Sequence, residues 1–409
     1  MLQLCAQILL AFVALYPILT SAFWIAGGFL FRRLDEANDA EEPHGGWPGV
    51  TVLIPAYNEE AVIAGAVTAA LDVDYSELEI LVLDDGSSDE TAAAAERAAR
   101  GDPRLEVIRD PVNQGKADRL NIGFRRARHE LIVVSDADTH LHPLAVKLLV
   151  SRMLRSPLIA AVAGSPHVTN RRSLLAGLQS LETASIIGLI RRTWALGGRV
   201  GVVAGVLGLF RREAVLSVGG YDGRMATEDI DLSWRLLLAG WHTAFEPRAL
   251  VGMEVPSTFR SLWAQRCRWA RGQGEVLNAH TRLIVRWENR RMWPVAAEAW
   301  ASLFWVTGMA LAALAATLNE VLGEPFPMLG FGIGWGVAIA VVAAIQLSFA
   351  VVVQHPSDRQ ASVAFLLGPL SPIAYWMISA AAALRAEIPS VIDGPRGERV
   401  VWDIERERP

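Results

Sequence analysis

The sequence predicts an α/β domain set between membrane-spanning helices. Two observations carry this. Four stretches hold no charge, 1–31, 299–319, 325–357 (His355 taken as neutral) and 361–384, and a bilayer crossing takes about 20 apolar residues. Between the first two, residues 32–292 alternate short apolar runs with helix-like segments, and several runs end in acidic residues. Of the 409 residues 52% are apolar and 20% charged, an apolar share above the ~45–50% of soluble domains. The uncharged ends exclude a wholly soluble enzyme, and the charged middle excludes a bare membrane bundle.

Residues 1–31 form too long an apolar run for a signal peptide, start without basic residues and are followed by no A-x-A site. They read as one membrane helix with Pro17 as a candidate kink. Arg32 and Arg33 follow directly and place its C-terminal end in the cytoplasm. Val50–Ala56 is the first strand, and Asn58–Leu71 reads as a helix. Glu79–Leu83 is the second strand, ended by Asp84-Asp85-Gly86. Asp89–Arg100 is an Ala-rich helix with Ser88 or Asp89 as its cap. Leu105–Ile108 is the third strand and Gln114–Arg128 the third helix. Leu131–Ser135 is the fourth strand, closed by Asp136-Ala137-Asp138. This alternation argues for a parallel sheet with helices on both faces. Ligands of such sheets bind beyond the carboxyl ends of the strands, where Asp84, Asp85, Asp136 and Asp138 fall. The domain is expected over 32–255, amphipathic interfacial helices over 256–292, about three crossing helices over 293–385 and a tail over 386–409. Joints fall at 319–325 and at 355–360, the second carrying Arg359.

A net charge of −5 gives no footing for nucleic acid. The basic side holds 36 Arg and only two Lys, Lys116 and Lys147. Cys5 and Cys267 are the two cysteines, which excludes a disulfide framework, and no Cys/His spacing suggests a structural metal.

Asp136 and Asp138, one residue apart, offer oxygen ligands suited to Mg²⁺ or Mn²⁺ together with phosphate; the bland alternative is a solvated turn. Asn113-Gln114-Gly115-Lys116 opens a helix, where backbone N–H groups favour a phosphate and Lys116 adds a full charge. In Thr227-Glu228-Asp229, a capping threonine with acids in the first turn is ordinary helix grammar. One acid can equally serve as a general base. From near Ser257, Phe259, Leu262, Trp263 and Ala270 share one helix face, with Gln265, Arg268 and Trp269 on an adjacent one. A helix lying at a membrane surface accounts for the apolar face and leaves Trp269 unexplained.

Taken in order, Ile54-Pro55-Ala56-Tyr57-Asn58-Glu59, Asp84-Asp85-Gly86-Ser87, Asn113-Gln114-Gly115-Lys116-Ala117, Asp136-Ala137-Asp138, Thr227-Glu228-Asp229 and Gln265-x-x-Arg268-Trp269 resemble the processive family-2 glycosyltransferases. Ser185–Thr193, Thr227–Trp234, Glu246–Leu250 and Leu262–Ala270 are similar to the bacterial poly-β-1,6-N-acetylglucosamine synthases of that group. The resemblance implies a GT-A domain, a Rossmann-like mixed sheet, between transmembrane helices. It implies UDP-N-acetylglucosamine as donor, bound by Pro55, Ala56, Tyr57, Glu59, Asp85, Lys116, Asp136 and Arg268, with Asp85 near the uracil. It implies Asp136 and Asp138 at the metal, Mg²⁺ or Mn²⁺, and Asp229 as base beside Glu228. Trp269, Gln265 and Asp229 would bind the acceptor. It further implies a growing polysaccharide passing through the bilayer of a bacterial inner membrane, a cytoplasmic catalytic domain, and a small membrane accessory subunit with cyclic-di-GMP regulation. Two departures stand out: Arg119, where a small residue is usual, and Cys267, where Leu is more common. No cyclic-di-GMP module of the cellulose-synthase kind is expected. Other products (chitin oligomers, hyaluronan, cellulose, a glycosylated polyprenyl phosphate) and an inert membrane scaffold are the alternatives.

Overall fold

Two units share the chain, and both are built from discontinuous segments. The sheet unit takes Glu36–Arg171, Trp194–Val255 and Asp393–Pro409, and the helical unit takes Met1–Asp35, Arg172–Thr193 and Pro256–Ile392. The structure is a computed structural model and describes residues 2–36, 45–171, 173–322, 333–354 and 371–401.

The sheet unit holds eight strands: β1 (Val50–Ala56), β2 (Leu78–Asp85), β3 (Leu105–Asp110), β4 (Leu131–Val134), β5 (His140–Leu141), β6 (Ile159–Val168), β7 (Gly208–Arg211) and β8 (His242–Met253). Their order is β3-β2-β1-β4-β7-β6-β8-β5. Every residue of β1, β2 and β4 is buried, which explains why they read as unbroken apolar runs. β1 lies parallel to both β2 and β4, and β2 lies parallel to β3. One core joins Val52, Ile54, Ile80 and Val82 to Ile63, Val67 and Ala95 of the flanking helices, and continues to Leu149, Val162 and Val251. Each fully buried aliphatic side chain of this kind contributes roughly 1.5–3 kcal/mol.

The all-parallel expectation holds for β1–β4 only. β7 runs antiparallel to β4, with Gly208 opposite Val134, and also antiparallel to β6. After β6 the chain leaves the sheet unit for residues 172–193. It returns through 201–207, so β7 starts at the edge where β4 ends.

Two helix starts also differ. The first flanking helix is Ile63–Leu71, not Asn58–Leu71. Asn58 sits at φ +55° and its Oδ1 accepts from Ser88 N at 2.8 Å; Glu60 N donates to Asp89 at 3.2 Å. These residues staple the loop after β2 instead of starting a helix. The second helix is Thr91–Ala99. Asp89 accepts from Thr91 N at 3.0 Å, one residue ahead of the cap position taken by Glu90.

In the helical unit, three helices are long and apolar enough to cross a membrane: Gln7–Leu34, Trp287–Ala315 and Val337–Gln354. Pro17 lies inside the first helix, Leu2–Leu34. Of the last uncharged stretch, Ser371–Ala382 is helical, and 361–370 lie outside the described residues, as do the joint at 355–360 with Arg359, part of the joint at 319–325, and tail residues 402–409. Polar side chains tie this unit together, including Ser21 to Gln346 at 2.6 Å and Arg192 to Gln354 at 2.9 Å. Helices in lipid gain from such contacts, where apolar surface drives no association.

Candidate active site

The sheet gathers the acidic residues at one edge. In register, Ala56 pairs Asp84 and Asp85 pairs Asp110. Ser135 N donates to Leu53 O at 3.0 Å and carries the β4 pairing up to Asp136. Asp136 then enters a tight turn, not an extended segment: Thr139 donates its N–H (3.2 Å) and its hydroxyl (2.7 Å) to Asp136 O. Asp138 lies partly buried inside that turn.

Lys116 is the hub of a charge cluster. Gly115 is the N-cap of the helix Lys116–Arg126. Lys116 Nζ meets Asp136 Oδ1 at 2.5 Å and Glu228 Oε1 at 3.7 Å, and only 16% of its side chain is exposed. Burial alone would lower its pKa; Asp136, Glu228 and Asp229 outweigh this and hold it above the ordinary lysine value. Asp229 moves the other way. Burial and then Glu228 push its carboxyl up to about 6, against Lys116, which lowers it. A carboxylate with that value switches near neutral pH, the range useful to a general base.

Glu228 and Asp229 open the helix Glu228–Leu238. Thr227 is the N-cap residue, yet its side chain makes no capping bond, so capping does not account for the acids that follow. Ser233 joins this helix to the returning loop, donating to Asp229 O at 2.7 Å and accepting from Val203 N at 3.0 Å. In that loop Gly205 presses against Lys116: a Cβ there would lie 2.7 Å from Nζ and 3.4 Å from Asp136 Oδ1. Tyr221 is buried nearby. Burial, Glu228, Asp229 and Asp136 all raise its pKa. The sequence singled out neither Gly205, Ser233 nor Tyr221; the short GVVAGVLG tract was the one available signal for Gly205.

Asp85 anchors the Gly115 turn. Its two oxygens accept from Gln114 N (3.0 Å) and Gly115 N (2.7 Å), and Arg119 Nε lies 3.0 Å from Oδ1. Arg119 also binds Asp110 at 2.7 Å, so two acids accommodate this departure from the family pattern. Burial raises the pKa of Asp85, opposed by the two amides and Arg119. A carboxylate offers about four lone-pair sites, which leaves room for one further donor. Pro55 and Ala56 are buried at the end of β1; Tyr57 is half-buried and Glu59 buried.

The chain's last described residues pass over the same turn. Val400 N donates to Gly223 O at 2.8 Å, and Arg399 pairs with Asp118 at 3.2 Å. Gly115 has φ +94°, and a Cβ on it would stand 2.5 Å from Val400 O. Glycine is therefore required there on two counts.

Gln265, Arg268 and Trp269 belong to the helical unit, on the helix Phe259–Ile284. Thr258 caps it, accepting from Ser261 N at 3.3 Å. Leu262 is fully buried, whereas Phe259 is exposed on the expected apolar face. Gln265 is half-buried, Arg268 is exposed and Trp269 is 42% exposed.

Among the described residues no three His, Cys, Asp or Glu side chains converge to hold a metal by themselves. The donor set nonetheless fits Mg²⁺ or Mn²⁺, which take one or two carboxylates and complete their shell with substrate phosphate and water. One lysine faces Asp136, Glu228 and Asp229, an excess of negative charge that a divalent cation offsets.

A sheet edge carrying nucleotide-site carboxylates and an acid poised near neutrality defines a sugar-transferring enzyme of the GT-A type. The family profile described as Glycosyltransferase like family 2 matches residues 48–272, and the chain belongs to glycosyltransferase family 2. It is 31% identical over 400 residues to the poly-beta-1,6-N-acetyl-D-glucosamine synthase of Staphylococcus epidermidis, covering 96% of each chain. The synthase of the same name from Staphylococcus aureus strain COL is 31% identical over 401 residues, again with 96% of each covered. In fold the chain is similar to a mannosyltransferase of Pyrobaculum calidifontis solved with GDP-mannose and Mn²⁺. That match has a TM-score of 0.61 and 21% identity, over 92% of this chain and 99% of the other.

Proposed function

We propose that this protein polymerises N-acetylglucosamine from UDP-N-acetylglucosamine into a β-1,6-linked exopolysaccharide and passes the growing chain across the bacterial inner membrane. The observation that carries this is the cluster of Lys116, Asp136, Glu228 and Asp229, with Asp229 raised to about 6. The names of the relatives supply the sugar and the linkage.

Asp229 takes the proton from the acceptor's 6-hydroxyl while that oxygen attacks C1 of the donor sugar. The C1–O bond to the diphosphate breaks, and its electron pair leaves with UDP. One displacement inverts the anomeric centre, so an α-linked donor gives a β-linkage. Asp85 accepts from the uracil, within a pocket edged by Pro55, Ala56, Tyr57 and Glu59. Lys116 and Arg268 bind the diphosphate, while Glu228 keeps Lys116 and Asp229 in place. A Mg²⁺ or Mn²⁺ ion held by Asp136 and Asp138 would offset charge on the leaving diphosphate. Trp269 floors the acceptor sugar and Gln265 holds its end. The sheet unit faces the cytoplasm, since Arg32 and Arg33 follow the first crossing. A small accessory membrane subunit, with cyclic-di-GMP acting across the pair, completes the reading by resemblance.

The test incubates membranes containing the protein with a panel of radiolabelled UDP-sugars and digests the product with linkage-specific hydrolases. Polymer from UDP-N-acetylglucosamine alone, cut only by a β-1,6-specific enzyme, is expected. Another sugar or linkage overturns the product assignment, and absence of UDP release from every donor overturns the enzyme.

A further inference from the structure

Arg266 stands inside the Gln265–Trp269 motif, yet no role falls to it in the reaction above. Its guanidinium carbon lies 4.7 Å from the centroid of the Trp269 ring. Both terminal nitrogens bind one carboxylate, Nη1 to Glu182 Oε1 at 2.7 Å and Nη2 to Glu182 Oε2 at 2.5 Å. Only 9% of the Arg266 side chain and 19% of the Glu182 side chain are exposed. Burial raises the pKa of Glu182, and Arg266 acts against it.

Glu182 comes from a different part of the chain, the helix Leu174–Ser185. That helix starts at a capped end, with Ser173 accepting from Ala176 N at 3.1 Å. It is tied to the segment just before the motif helix by Gln179, which donates to Pro256 O at 2.8 Å.

A bidentate arginine–carboxylate pair fixes the plane of the guanidinium as well as its position. A guanidinium held in one plane fixes an aromatic ring stacked on it, through the cation–π attraction. We propose that Glu182 and Arg266 are positioning residues that set the orientation of Trp269, so that one ring face is held by Arg266 and the rest is left for a sugar. This rests on the reading of Trp269 as the acceptor platform. Neither residue touches the reacting atoms.

Removing one partner of this pair leaves a buried charge alone and threatens the fold, whereas replacing both with neutral side chains of similar size is tolerated. The deciding variant is therefore the double change Glu182→Gln with Arg266→Met. Two companions are Arg266→Lys, which keeps the charge and loses the planar fork, and Glu182→Asp, which keeps the carboxylate. Each is purified in full-length form and given radiolabelled UDP-N-acetylglucosamine. Two quantities are read: the ratio of polymer to free N-acetylglucosamine, and UDP affinity. Trp269→Ala marks the lower limit of the ratio.

The double variant is expected to fold and bind UDP as the wild type does. Its polymer-to-free-sugar ratio should fall about tenfold, the size a partly desolvated cation–π contact carries. Arg266→Lys should behave alike, and Glu182→Asp should recover part of the ratio. A wild-type ratio in the double variant, with Trp269→Ala low, overturns the positioning role and leaves the acceptor platform standing. A wild-type ratio in Trp269→Ala itself removes the platform and the positioning role together.

Discussion

Asp229 is held where its charge is costly, and the change Asp229→Asn exposes that cost. Its pKa rises from an ordinary 3.8 to about 6 through burial first and Glu228 second. A shift of roughly two units corresponds to about 3 kcal/mol between the protonation states. Because the folded value lies above the unfolded one, the associated stability is fully present below pH ~4 and is lost as the pH rises through about 6. At pH 7.5 the ionised carboxylate therefore weighs against folding by up to about 3 kcal/mol, and the uncharged Asn removes that weight. Without donor or divalent ion, Asp229→Asn should unfold at a higher temperature than wild type at pH 7.5, with the gap closing at pH 4. Polymer formation at pH 7.5 should fall by roughly 10²–10⁴-fold. Thermal unfolding in detergent and a radiolabelled polymer assay read the two effects. A variant that polymerises normally, or is destabilised equally at both pH values, would refute the reasoning.

Wild-type turnover should decline on the acid side through pH ~6, because the base must be ionised. Glu228→Gln removes a cause that raises Asp229 and should move this acid limb down in pH, whereas Lys116→Met removes the cation that lowers it and should move the limb up; kcat–pH profiles distinguish the signs. Gly205→Ala places a methyl 2.7 Å from Lys116 Nζ, so the lysine must swing off Asp136; UDP affinity should drop several-fold by calorimetry with thermal stability little changed. EDTA should stop synthesis, with Mg²⁺ or Mn²⁺ restoring it; full activity in chelator, or rescue by Zn²⁺ alone, would show that Asp136 and Asp138 hold no oxygen-ligand metal.

What the sequence made legible was what depends on local pattern. β1, β2 and β4 stood out because both of their faces are buried, and their acidic ends followed from the same runs. Asp229 beside Lys116 was reachable only as two separate motifs, since 113 residues of chain lie between them and nothing local says they meet. Asn58 misled the helix start because its side chain spends its acceptor on a loop 30 residues away. β7 gave no sign of its direction: the turn back is set by where the chain re-enters the sheet, which is not a property of Gly208–Arg211. Arg119 was the most informative oddity. An arginine on the buried face of a helix requires acids in reach, and Asp85 and Asp110 were the candidates already on the page. Glu182 was invisible for the opposite reason, an ordinary glutamate whose partner lies 84 residues on.

The chain changes unit five times, after residues 35, 171, 193, 255 and 392. No single cut therefore yields a self-sufficient enzyme fragment. An expression clone spanning 36–255 would retain 172–193, with Leu178, Leu181 and Leu189 stripped of the helical neighbours that bury them. It would also lack Arg399 and Val400, leaving the Gly115 turn uncovered. Soluble versions for crystallisation or screening would need the 172–193 excursion replaced by a short polar linker and the 393–401 peptide supplied in trans or fused back. Without both changes, aggregation of such fragments reports on the cloning boundaries and not on the stability of the sheet.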